Sequence, residues 1–407
     1  MSTTSPAIPK KRIDVIDALR GFALIGILLL HCTEHFELFV YPTDPPAWLQ
    51  FLNEKTRDFI QFFFLGKSYA IFSMLFGLSF FIQMENQADR GVDFRWRFAW
   101  RLALLFLLGL INGMIYSGEI FVVYAVLGLL LIPCYKLPVR WLWPLCLLLL
   151  LKLPLLIRFI GMCFDADLAA VEMTESRLYW RSLLAETKEV YLNDSLIDVW
   201  SRNLWEGQAQ KWLWYYHSGT ILHIPGLFMA GLIIGKKGIH KDENRLVKYA
   251  KRAVVIGIPL YLVFYCLNGV VPAFGFSSEG ARITRNIFNS YANLGMMGML
   301  SGGFVLAYLR LGGRKILDYL TPVGRMSLTN YMLQSLLGTC IFYGFGLGLA
   351  PWCGQFYSGL IGLALCAVQI AYSRWWIRHY YYGPVEWLWR SATWLTVRTP
   401  FRRKTKA

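Results

Sequence analysis

Apolar residues in this chain gather in long unbroken runs instead of the alternating or one-faced patterns of water-soluble strands and helices. Ten runs approach the roughly 20 residues that cross about 30 Å of hydrocarbon at 1.5 Å per residue. They lie near 15–36, 59–84, 98–116, 119–136, 140–163, 213–235, 253–273, 287–310, 326–350 and 356–378. The pattern predicts an all-α integral membrane protein with about ten transmembrane helices in one bundle. Ser117 and Gly118 alone part the third run from the fourth, so a tight hairpin is expected there. Lys10, Lys11 and Arg12 lead into the first run without a clear small-residue cleavage site, so that span is expected to remain in the mature chain.

Composition supports this class: 56% of the 407 residues are hydrophobic and only 16% charged, too apolar a balance for an ordinary soluble domain. The net charge of +16 is distributed unevenly. Lys10, Lys11 and Arg12 precede the first run. Arg90, Arg95, Arg97 and Arg101 follow the second, Lys136 and Arg140 the fourth, and seven cations from Lys236 to Arg252 the sixth. Arg310, Arg314 and Lys315 follow the eighth, and Arg398 to Lys406 close the chain. With ten spans these clusters share one face, and the positive-inside rule makes it cytoplasmic, with both termini inside. An odd number of spans would scatter them. The basicity is thus explained by topology and membrane lipid, and no nucleic-acid partner is expected.

Residues 1–407 read as a single polytopic domain, with 379–407 a basic cytoplasmic tail. Segments 37–58, 164–212 and 274–286 fall on the outer face. Segment 164–212 mixes charges with Tyr179, Trp180, Tyr191, Trp200 and Trp205, as expected of amphipathic helices that lie on the membrane surface or cap a cavity. Most of the eight cysteines fall inside runs, where they act as small hydrophobes. Cys163 and Cys353 are both placed to reach the outer face, but spacing does not decide whether they pair.

Candidate chemistry starts in the first run. Arg20, His31 and His35 sit in a stretch otherwise apolar enough to cross a bilayer, where ionisable groups are costly and mark pathways or reaction sites. The string His31-Cys32-Thr33-Glu34-His35 fits the H-x-x-E-H pattern of inverted zinc proteases, with both histidines on one helical face and Glu34 as base. A third ligand is not evident, and Glu119 or an outer-loop acid is the available choice. Two other readings stand beside it. The histidines satisfy structural partners near the outer end of the span, or His31 acts as a general base with Glu34 or His35 orienting it. Asp17 and Arg20, three apart, suit an ion pair or a phosphate site. Lys67 either snorkels, pairs with Glu119 or lines a tunnel.

The chain also resembles known families. Arg20 and His31 are separated by ten residues, similar to the R-x10-H pattern of the acyltransferase-3 family, and about eleven helical steps place them roughly 16 Å apart. Five further motifs cover nearly the whole chain: Asp17-Ala18-Leu19-Arg20-Gly21-Phe22-Ala23, Phe72-Ser73-Met74-Leu75-Phe76-Gly77, Gly118-Glu119-Ile120, Gly324-Arg325-Met326-Ser327-Leu328-Thr329-Asn330-Tyr331 and Gly383-Pro384-Val385-Glu386-Trp387-Leu388-Trp389-Arg390. Together they resemble the YeiB family of bacterial inner-membrane proteins, domain of unknown function 418. The resemblance implies kinship with transmembrane acyltransferases. These move an acyl group from cytoplasmic acyl-CoA, the donor substrate, to an extracytoplasmic glycan or other polar acceptor. On that reading His31 is the candidate catalytic base with Glu34 or His35 as its orienter, and Arg20, Lys67 and Arg325 are the candidate donor-phosphate ligands. No metal cofactor is expected on this reading, and an oligomer is compatible with it. A transporter of a small polar solute or lipid is the alternative, and an intramembrane zinc protease a distant third.

Overall fold

The computed structural model describes residues 13–170 and 173–403. Lys10, Lys11, Arg12, Lys404 and Lys406, counted above among the cytoplasmic charges, lie outside the described residues. Every major element is helical: α1 (Asp14–Thr33), α2 (Ala47–Phe64), α3 (Ser68–Ala88), α4 (Arg95–Ile115), α5 (Phe121–Gly128) and α6 (Leu131–Cys134). Then follow α7 (Val139–Leu150), α8 (Leu153–Phe164), α9 (Ala166–Ala169), α10 (Glu175–Asn193), α11 (Leu196–Leu204), α12 (Glu206–His217) and α13 (Thr220–Lys236). The remainder is α14 (Glu243–Gly269), α15 (Ser278–Leu309), α16 (Arg314–Leu317), α17 (Thr321–Arg325), α18 (Ser327–Phe342), α19 (Gln355–His379) and α20 (Pro384–Trp394). Among the described residues the sole β feature outside helices is the bridge between Tyr380 and Arg402.

All ten apolar runs are helical, but they do not all have the form of lipid-crossing rods. Six helices are long and apolar enough to cross a membrane, or eight if the bent pairs α7–α8 (54°) and α12–α13 (74°) each count as one. Left-handed residues make both bends: Lys152 at φ 50° and Gly219 at φ 67°. The two runs that differ from expectation are 119–136, split into α5 and α6, and 326–350, where α18 stops after 16 residues. The reason is burial. In α5, Phe121 to Ala125 are all buried, and α18 buries Leu328 to Tyr331 together with Gln334, Ser335 and Thr339. These runs are apolar because protein surrounds them, whereas α14 is apolar because lipid would, with Val255, Ile256, Leu262 and Val263 exposed.

Helix α1 lies at the centre: 61% of its span is buried, against 11% for α14, and it packs on α2, α3, α15, α17, α18 and α19. Its close approach to α17 depends on Gly21 and Gly324, since a Cβ on either would collide with Leu320 or Asp17 backbone. The basic segments share one end of the bundle. Lys241 pairs with Glu85 at 2.8 Å, Lys236 donates to the Leu137 carbonyl, Arg97 to that of Thr393 and Arg310 to Asn244. Asp14 and Arg403 line one cavity, so both described ends of the chain meet there.

Two of the sequence motifs form a single joint. Glu386 accepts from the Leu328 and Thr329 amides (2.6 and 3.1 Å) and the Thr329 hydroxyl (2.6 Å), satisfying free N–H groups at the start of α18. Asn330 bonds Ser373 and the Val323 carbonyl, and Gln334 bonds Gln369. These residues hold α18 against its neighbours.

Candidate functional site

The regular backbone of α1 ends at Thr33, and a left-handed turn follows. His35, Phe36, Glu37 and Phe39 have φ of 51°, 52°, 73° and 51°, a run that L-residues with side chains adopt at roughly 1–2 kcal/mol each. Specific bonds hold it in place. The His35 ring lies 2.8 Å from the Val40 carbonyl through Nδ1 and 2.5 Å from the Ser358 hydroxyl through Nε2, and it stacks on Phe342. Tyr343 donates to the Phe36 carbonyl and Tyr41 to that of Thr33.

This turn changes the reading of the histidine pair. His35 has left the helix, so it no longer shares a face with His31 four residues away, and both of its ring nitrogens are engaged. The two-histidine metal grip expected from H-x-x-E-H therefore does not form, and no group of three or more His, Cys, Asp or Glu converges among the described residues. Glu34 and His35 were expected to orient His31; His35 instead faces Ser358 and Val40, and the ring bonded to His31 is that of Tyr116.

The turn carries Glu37 inward. His31 Nδ1 lies 3.2 Å from the Tyr116 hydroxyl, and the Glu37 carboxyl faces Tyr116, Ser117 and the Lys211 charge. Gly118 has to be glycine here, because a Cβ would strike the Tyr116 ring and the Glu37 carboxylate. Its neighbour Glu119 caps α5, accepting from the Phe121 and Val122 amides at 2.6 and 3.2 Å. The other carboxylate oxygen takes Lys211 Nζ at 2.5 Å, in a pair whose side chains are 0% and 4% exposed. Around them Tyr191 bridges Ser117 and Asn203 and stacks on Tyr343.

Beyond the helix end, burial pushes the Glu37 carboxyl up to about 7, against the pull of Lys211, Ser117 and Tyr116. Burial likewise pushes Glu34 up to about 8, with the Glu37 charge adding to it. His31, Glu34 and Glu37 keep partial exposure while Cys32, Thr33, His35, Phe36 and Leu38 are buried, so these three form the accessible side of the site.

The N-terminal end of α1 is built differently. Arg20 pairs with Asp17 at 2.9 Å and donates to Ser79 at 2.8 Å, and Arg325 pairs with Asp14 at 2.7 Å and Asp17 at 3.4 Å. Asp17 thus joins two of the three cations expected to act together. Lys67 stays apart: it immediately precedes α3 at the α2–α3 break and donates to the Gln61 carbonyl at 3.2 Å. Its expected alternative partner, Glu119, is taken by Lys211. Arg325 lines a cavity of about 530 Å³ with Lys315, Arg374, Arg378 and Arg403, balanced only in part by Asp14 and Asp318.

Sequence reasoning missed Lys211, Glu37 and Tyr116. Lys211 lies in the segment 164–212, which reads as amphipathic helices lying on the surface or capping a cavity, and α10, α11 and α12 bring Tyr191, Asn203 and Lys211 into the core. An isolated lysine between Gln210 and Trp212 was the available signal. The eight cysteines are free thiols, Cys163 and Cys353 included.

Comparison with known proteins adds a family. The model described as protein of unknown function (DUF418) matches residues 234–396. The chain is 28% identical to the uncharacterized protein YxaH of Bacillus subtilis (strain 168), over the full length of both. It is 26% identical to the uncharacterized protein YeiB of Escherichia coli (strain K12), over 93% of this chain and 95% of that relative. A 39.9 kDa protein from the amylase 3' region of Bacillus acidopullulyticus matches at 25% identity, with 95% of each chain covered.

Proposed function

As the chain belongs to the DUF418 family, together with YeiB and YxaH, we propose that it is a transmembrane acyltransferase of the bacterial cytoplasmic membrane. It moves an acyl group from cytoplasmic acyl-CoA to a glycan or another polar acceptor outside. The observation that carries this reading is the organisation of α1. Its inner end meets a basic cavity suited to the phosphates of a donor, and its outer end holds a histidine among ionisable groups. About eleven residues, roughly 16 Å of helix, separate the two.

The arrangement around His31 suits a general base. In the productive tautomer Glu37 accepts a hydrogen bond from Tyr116, and the Tyr116 oxygen accepts one from His31 Nδ1–H. Nε2 is then free to take a proton. An acceptor hydroxyl loses its proton to Nε2 as its oxygen attacks the thioester carbonyl. The tetrahedral intermediate collapses by breaking the C–S bond, and the proton returns from His31 to the departing sulfur, giving the ester and free coenzyme A. Tyr116 and Glu37 orient the ring. Arg20 and Arg325 are assigned to the donor side, with Arg325 at the cavity wall and Lys67 standing apart from both at the α2–α3 break.

His31→Ala tests this directly, with labelled acyl-CoA supplied to sealed vesicles. Removing a general base lowers the rate by about 10²–10⁴-fold. A loss under about threefold in well-folded protein would return His31 to a structural role. The bent pairs α7–α8 and α12–α13 support a second reading, transport of a small polar solute or lipid, because broken helices often border transporter binding sites. Solute flux without any acyl transfer is its signature.

A further inference from the structure

A second cavity, distant in sequence from the α1 motifs, lies where the junction of α12 and α13 meets α10 and the first turns of α15. It encloses about 430 Å³, and its walls include Arg177, Arg282, Arg285, Trp180, Trp214 and Asn286. It sits at the end of the bundle opposite the basic loops.

The charge balance is one-sided. Glu279 is shared by Arg177 at 3.4 Å and Arg282 at 2.5 Å, so one carboxylate serves two guanidinium groups. Arg285 is exposed and has no ion pair among the described residues. Behind the wall is a fourth cation. Lys152, only 2% exposed, is turned inward by its left-handed backbone and donates to the Ser218 carbonyl (2.9 Å), Asn286 Oδ1 (3.3 Å) and Ser290 Oγ (2.6 Å). All three acceptors are neutral. A buried ammonium without a carboxylate is rare unless another charge compensates it. Ser218 and Asn286 also line the cavity, so this charge lies directly behind its surface. The indole N–H of Trp180, a buried donor on the same wall, has no hydrogen-bond acceptor among the described residues.

We propose that this cavity binds a phosphate group carried by a lipid headgroup or by a soluble phosphorylated polyol. Arg282 and Arg285, one helical turn apart, offer planar donors matched to phosphate oxygens. Lys152 supplies compensating charge from behind, Trp180 N–H is an additional donor, and the Trp180 and Trp214 rings offer apolar faces to the carbon skeleton. The site stands on different residues from the His31 cluster, so it does not depend on acyl transfer.

The test uses the full chain in phosphatidylcholine nanodiscs, titrated with inorganic phosphate and with glycerol phosphate at constant ionic strength. A parallel arm adds phosphatidylglycerol to the nanodiscs and measures lipid retained on purification. Arg285→Gln, at an exposed position where folding is not at stake, should weaken binding about tenfold or more, as expected for loss of a charge-assisted bond. Lys152→Met should weaken it similarly in protein that still folds. Saturable binding of the soluble phosphates identifies a soluble source. Retention of phosphatidylglycerol alone, lost in Arg285→Gln, identifies the lipid. Absence of binding in both arms, or binding unchanged by Arg285→Gln, overturns the proposal.

Discussion

The two ends of α1 handle charge in opposite ways. At the N-terminal end Asp14, Asp17, Arg20 and Arg325 form a partly exposed lattice on regular helix, with pairs between 2.7 and 3.4 Å. At the C-terminal end the backbone becomes left-handed, and Glu37, Tyr116, Lys211 and Glu119 meet where water is scarce. Charges in the first group keep part of their solvation, between 13% and 37% exposed. In the second, Lys211 and Glu119 have given theirs up, at 4% and 0%, and depend on each other. Strained backbone and mutually dependent buried charges tend to mark function, so the C-terminal end of α1 is the better place to look for chemistry.

Removing Lys211 should give the largest stability effect. Lys211→Met leaves Glu119 buried without its cation, at a cost of roughly 3–5 kcal/mol. Adding Glu119→Gln should recover much of the loss, as read by thermal unfolding of the purified variants. Equal unfolding of the single and double variants would mean that the pair does not behave as a buried unit.

His35→Ala comes next. It removes the ring that holds the left-handed turn and leaves Ser358 and the Val40 carbonyl short of a partner, a loss of about 1–3 kcal/mol. Protease cleavage within residues 34–41 should increase with it. If His35→Ala is as resistant as the parent, other contacts hold the turn.

A pH profile examines the same end without disrupting it. The Glu37 carboxyl, near 4.5 when unfolded, is raised to about 7 in the fold, so the folded protein holds its proton more tightly. That contribution is full below pH 4.5 and is lost as the pH rises through about 7. Stability should therefore fall across this window, and Glu37→Gln should flatten the slope. An unchanged slope would assign the effect to other groups.

At the N-terminal end, Arg325→Gln should cost little stability, within the 0–1 kcal/mol of a solvent-accessible pair, because its side chain remains 22% exposed. Coenzyme A binding should nevertheless weaken. A large stability loss would erase the contrast between the two ends, and unchanged coenzyme A binding would remove Arg325 from the donor site.

Length and hydropathy of the apolar runs were enough to establish an all-helical membrane protein, because crossing hydrocarbon demands continuous apolar helix. One-sided basic clusters foretold the end of the bundle where Lys241, Arg97, Arg314 and Arg403 gather. The pairing of Arg20 with Asp17 was legible too, since residues three apart on a helix are neighbours by geometry alone. Tertiary structure decided the rest. Runs 119–136 and 326–350 are enclosed by protein, and hydropathy does not distinguish that apolar surrounding from lipid. The site at His31 depends on a left-handed turn of non-glycine residues, which local propensity disfavours and which Ser358, Tyr343 and Phe342, more than three hundred residues away, help to stabilise. Glu119 and Lys211 are 92 residues apart, and each becomes informative only because folding withdraws both from water and leaves them one another as partners.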